Sequence, residues 1–163
     1  MFVTVSLTTG FIVSAVLTVL ILVSLANNPR IWIQDAPQEM QAVMTPLTAQ
    51  EKRVRILWAI PIFAVALIPP FAALAWYQAA QQPLGYWQGV LFLWLVMMTF
   101  NVIDLLLIDW LIVVWWHPSW TMLPEVEHLN HLNNYAFHFK AFLKGTVGIT
   151  LFALIGGLVV WWL

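Results

Sequence analysis

Four long apolar runs set the pattern of the chain. They extend from about Val5 to Leu25, Ile56 to Tyr77, Trp87 to Trp116 and Phe142 to Leu163. Each reaches the roughly 20 residues a helix needs to cross a bilayer core of about 30 Å. The pattern predicts an all-α fold, a four-transmembrane-helix bundle, with residues 1–163 forming a single integral membrane domain. The third run is near 30 residues, or about 45 Å at about 1.5 Å per residue. It is expected to tilt strongly or to leave the membrane at its end. Ser24-Leu25-Ala26 has the look of a signal-peptide cleavage site, but no Lys or Arg precedes the first run. The first run is therefore expected to be a membrane helix.

Composition agrees with that pattern. The chain is 63% hydrophobic and only 8% charged, against about 25% charged residues in average soluble domains. A net charge of −1 offers no basic field for nucleic acid. Cysteine is absent, which removes disulfides, thiolate metal sites and Cys nucleophiles.

Charge placement predicts orientation. Arg30, Lys52, Arg53 and Arg55 lie between the first two runs, and Lys140 and Lys144 lie just before the fourth. The 78–86 connection carries no Lys or Arg. Cytoplasmic loops carry the Lys and Arg excess. The first and third connections are thus expected inside, with both termini on the non-cytoplasmic side, as in a multi-pass protein of a bacterial-type inner membrane. Trp76, Tyr77, Tyr86, Trp87, Trp161 and Trp162 would then form the outer aromatic girdle. Trp32, Trp58, Trp115, Trp116 and Trp120 would mark the inner one.

Small residues predict where helices touch. Ser6, Gly10, Ser14 and Thr18 share one face of the first run, and Thr146, Thr150, Ala153 and Gly157 share one face of the fourth. Pro61, Pro69 and Pro70 are expected to bend the second. In the first connection, Asp35 followed by Ala36-Pro37 reads as the start of a short helix whose Met40, Val43 and Met44 would lie on the membrane surface. Thr48 with Glu51 is a capping-box pattern that starts the second long helix below the membrane.

The chemistry-bearing stretch runs from Asn101 to Lys144. Asn101 and Asp104 are intramembrane polar residues that share a helical face, and an ionisable group at such depth marks a function or a buried pair. Asp109 lies five residues beyond Asp104, about 140° round an α-helix at about 100° per residue, so the two are not expected on one stripe. Pro124 suits the first turn of a short amphipathic helix in the third connection. Continued, that helix would align Glu127, His131, Tyr135 and His138. Glu125 and His128 have the Glu-x-x-His spacing of carboxylate-bridged metal sites. With Asp109, the set Glu125, Glu127, His128, His131 and His138 forms a candidate site for Zn, Fe or Mn. The plain alternative is a solvated surface helix, with Lys140 or Lys144 pairing with Asp109.

No Gly-rich phosphate loop and no Gly-x-Ser-x-Gly nucleophile motif is present. Three functional readings follow. The first, which the sequence favours, is a non-catalytic accessory or scaffold subunit of a larger membrane complex, for which energy-transducing complexes are the natural example. It rests on small size, tiny loops and spare small-residue faces. The second is a metal-dependent membrane enzyme with its His/carboxylate site at the cytoplasmic face. The third is an oligomeric channel or transporter that uses Asp104. The expected partners are the lipid bilayer and other membrane subunits or further copies of the chain, with no nucleic acid.

Overall fold

The computed structural model describes residues 1–81 and 83–162, with side chains as far as Val159. Trp161 and Trp162, assigned above to the outer girdle, therefore lie outside the described side chains. Five α-helices are α1 (Phe2–Asn27), α2 (Gln38–Val43), α3 (Ala49–Ala80), α4 (Tyr86–Ile103) and α5 (Tyr135–Trp162). α4 runs on without a break as a π-helix, Asp104–Trp116. Short 3-10 helices, Pro29–Asp35, Ser119–Thr121 and Pro124–Leu132, fill the longer connections. No strand occurs among the described residues. Among the described residues four helices are long and apolar enough to cross a membrane: α1, α3, α4 with its π extension, and α5.

α4 is the centre of the bundle, with α1 and α5 packed on it and α3 leaning mainly on α1. The two small-residue stripes explain this arrangement. Ser6, Gly10, Ser14 and Thr18 are all buried. A Cβ placed on Gly10 would stand 2.8 Å from Thr99 of α4, so the glycine lets the two backbones close up. Ser6 and Ser14 return their hydroxyls to the carbonyls of Phe2 and Gly10, which hides their polarity inside α1. The α5 stripe meets the other side of α4. Thr150 accepts a hydrogen bond from Trp94 Nε1 at 3.2 Å, and Ala153 is completely buried. Gly157 is likewise packed so closely on α4 that a Cβ there would run into Val90. Both stripes are thus consumed within the chain and do not remain as spare faces.

The core lies between these contacts: Val13 and Leu17 of α1, Leu74 and Tyr77 of α3, and Phe92, Leu93 and Val96 of α4. Phe2 meets both Tyr77 and Phe92 edge-on, with ring centroids 5.8 and 5.7 Å apart. α3 remains one continuous helix across Pro61, Pro69 and Pro70. Only 6% of its apolar window is buried. Its Ile56, Leu57, Ile60, Phe63 and Ile68 side chains point outward. Hydrocarbon satisfies such a face where water would not. Trp76, Trp87, Trp115 and Trp116 are also largely exposed, in keeping with aromatic girdles at the two ends.

The two longer connections meet at one end of the bundle, the end that carries the cations. The capping box at Thr48 and Glu51 forms as its spacing implies and starts α3 at Ala49. The short helix α2 also forms, but Pro37 stands at its N-cap without a side-chain cap, while Asp35 closes the preceding 3-10 turn. Met40 is buried beneath the third connection, not laid out on a membrane surface.

Candidate functional site

A cavity of about 400 Å³ opens at the cation-bearing end. Its walls come from the end of α1, the 3-10 turn that follows, the π-helix, the third connection and the start of α5. Most of the lining is apolar, including Ile21, Leu25, Phe100, Ile108 and Val113. Four titratable side chains break that surface: Asp35, Asp104, Asp109 and His138.

The π-helix accounts for two of them. Asp104 and Asp109 would diverge on an α-helix, and the sequence reading placed them on different stripes. Backbone bonds from i to i+5 bring residues five apart onto one side, as i and i+4 are in an α-helix. Both aspartates accordingly line the same cavity, and Val113 joins them. The π register ends at His117, whose amide bonds Ile112 O and whose φ of 50° puts it in the left-handed region. Pro118 follows, so the helix cannot continue.

Asp109 is held by α5. Its Oδ1 lies 3.0 Å from Nδ1 of His138, a residue only 7% exposed. The Nε2 atom of the same ring faces Asn133 Oδ1 at 2.8 Å. Imidazole, and not Lys140 or Lys144, is therefore the partner of Asp109. Lys140 and Lys144, further along α5, remain exposed. Asp104 lies deeper in the bundle. The ion pairs among the described residues are Arg30–Glu51, Arg30–Glu125 and His138–Asp109, and Asp104 takes part in none of them. Asp35 stands at the rim. Partial withdrawal from water raises its carboxyl above the ordinary value, the charge of Asp109 adds to that, and Arg55 opposes it.

Asn101 does not join the cavity. Its amide Nδ2 donates to Phe142 O at 3.3 Å and Thr146 Oγ1 at 3.1 Å, which ties α4 to α5. Gly145 makes room for it, since a Cβ there would lie 2.8 Å from Asn101 Oδ1. Asn101 and Asp104 thus divide their labour, one clamping helices and one facing open space.

The third connection departs from the expected α-helix. Pro124–Leu132 is 3-10, with a break at Val126, and α5 starts only at Tyr135. The stripe of Glu127, His131, Tyr135 and His138 therefore does not form, because its members fall on two separate elements. Glu127, His128 and His131 are exposed, while Val126 is buried. Glu125 pairs with Arg30 at 2.9 Å. Among the described residues no three His, Asp or Glu side chains gather as a metal ion would require.

Arg30 is the residue that sequence reasoning overlooked. Its Nε donates to Glu51 at 2.7 Å, its Nη1 to Glu125 at 2.9 Å, and its Nη2 to the carbonyl and hydroxyl of Thr45. One guanidinium therefore joins the turn after α1, the segment before α3, the start of α3 and the third connection. Asn28-Pro29 immediately before it, a cap and a helix-starting proline, was the local sign that Arg30 sits on an ordered turn. Comparison of the chain with protein-family models, with characterised proteins and with solved structures finds no match.

Proposed function

We propose that this chain works as an oligomeric channel or transporter of the inner membrane whose polar path starts at the cavity and reaches Asp104. The observation that carries this reading is the shared exposure of Asp104 and Asp109 to one cavity on the π-helix. The cation-bearing end faces the cytoplasm by the charge rule, so the cavity opens inward. A carboxylate kept at depth in an apolar wall is costly unless it works, and three carboxylates in one opening favour a positively charged passenger. The test is ion flux into vesicles that contain the purified chain. Asp104→Asn should abolish proton or monovalent-cation flux while the protein still inserts and assembles. Unchanged flux in that variant would remove the reading.

A second reading has its own observation. α3 is covered on one side only, and an open apolar groove runs along Leu67, Ile68, Phe71, Leu74 and Gln78. That face suits a non-catalytic subunit docked in a larger membrane complex. The small-residue faces no longer support it, because α4 uses both. Extraction in mild detergent followed by mass measurement separates the two readings. A stoichiometric foreign subunit supports the accessory role, and a homo-oligomer supports the channel or transporter.

A further inference from the structure

We infer that the cavity takes an organic cation with a hydrophobic body, its charge beside Asp104 and its apolar part along the walls. The inference rests on the reading of this cavity as the working site, but not on conduction through it. Three features of the opening specify the ligand class. The first is size: about 400 Å³ falls within the range of small-molecule pockets, roughly 300–1,000 Å³, and far exceeds what a bare inorganic ion needs. The second is the wall. Ile21, Leu25, Ile108 and Val113 offer aliphatic surface that hydrated ions do not use, and Trp32 and Phe100 add aromatic rings. Aromatic rings in the lining suit ammonium and related cations.

The third feature is the pairing pattern. His138, more than nine-tenths buried, is taken up between Asp109 and Asn133. Asp109 therefore has a partner, whereas Asp104 forms no ion pair with any described residue. Its carboxylate faces a space that is mostly apolar. A ligand that brings a positive centre and an apolar body supplies both missing contacts at once. Asp35 at the mouth adds attraction for the same sign of charge, so the approach and the deep end favour one class of molecule.

The test uses two ions of one shape and opposite charge, tetraphenylphosphonium and tetraphenylborate. Binding of each is measured by equilibrium dialysis against the full chain in phosphatidylcholine nanodiscs, with empty nanodiscs subtracted. Saturable binding of the phosphonium, near one per chain, with no saturable binding of the borate, is the expected result. Asp104→Asn should weaken the phosphonium on the order of tenfold or more, as loss of a buried charge partner does. Val113→Trp, which fills the cavity and keeps every charge, should weaken it too, so a folding defect of one variant does not decide the outcome. Equal binding of both ions, or phosphonium binding unaffected by both substitutions, overturns the inference. Asp104-dependent flux of inorganic cations without phosphonium binding would overturn it while leaving the transport reading in place. Phosphonium binding without any flux would do the reverse.

Discussion

Arg30 and Glu51 stand 21 positions apart and meet at 2.7 Å, which ties the turn after α1 to the first turn of α3. The same guanidinium reaches Glu125 and Thr45, so its loss should release several loops at once. Arg30→Ala is expected to raise amide hydrogen exchange in residues 38–48 and 124–132 and to leave α4 unchanged. Arg30→Lys should restore little, because a lysine cannot hold three partners with a rigid fork. The Glu125 arm is exposed and should weaken with salt before the Glu51 arm does. Exchange confined to one loop would show that Arg30 is not the common tie.

Acid should release the Glu51 arm in a defined window. Glu51 sits in the first turn of α3, outside the hydrophobic span. The backbone N–H of Thr48, then the Arg30 hydrogen bond, hold its carboxyl down at about 2, against an ordinary value of 4.5. A depressed folded value means that the contribution is complete above 4.5 and is lost as pH falls from there through about 2. Exchange in residues 38–48, corrected for intrinsic rates, should therefore stay low at pH 5 and rise toward pH 2. Glu51→Gln should remove most of that acid dependence.

The π-helix makes a prediction that an α-helix does not. Asp104 and Val113 are nine residues apart, half a turn out of phase at about 100° per residue. In the structure both line the cavity. The chain has no cysteine, so single cysteines can be introduced without background. Cysteines at positions 104, 109 and 113 should react with a water-soluble thiol reagent, and Leu106→Cys, which faces outward, should not. Reaction at 104 and 111 with protection at 109 and 113 would indicate an α-helical register.

Asn101 should act as a helix clamp and not as part of the site. Asn101→Leu removes its bonds to Phe142 O and Thr146 and should destabilise the bundle by about 0.6 kcal/mol, and by at most about 1.7. Gly145→Ala should cost a comparable amount, since the new methyl displaces the amide. Denaturation in mixed micelles measures both. If Asn101 clamps as described, the two changes together will cost less than their sum, because they disable one contact.

His138→Ala leaves Asp109 without its partner in a half-buried setting. We expect a loss of about 1–3 kcal/mol in the same assay. Asp109→Asn keeps an acceptor for the imidazole and should cost less.

The four membrane helices were legible because hydrocarbon imposes one requirement, a long apolar run, that any sequence must show openly. The small-residue stripes were legible as contacts, but not their partner. Gly10 meets Thr99 and Gly157 meets Val90, and nothing at positions 10 or 157 names α4. The site was legible in its members more than in its geometry. Asp104, Asp109 and His138 were singled out, yet the periodicity assumed for them was the ordinary one of 3.6. The π register through Leu105, Ile108 and Ile112 carries no local signature, because an apolar run suits either register. The exposed Glu127, His128 and His131 were read together with His138 on the assumption of one continuous helix. The break at Val126 and the late start of α5 separate them.

The central place of α4 has a consequence for how the protein is made. Asn101 and Trp94 find their hydrogen-bond partners on α5, 41 to 56 positions later in the chain. During synthesis α4 must therefore wait, without its α5 partners, until α5 leaves the ribosome and enters the lipid. A nascent chain stalled in the third connection would hold a polar seam open to the membrane, a natural mark for the machinery that clears unfinished proteins.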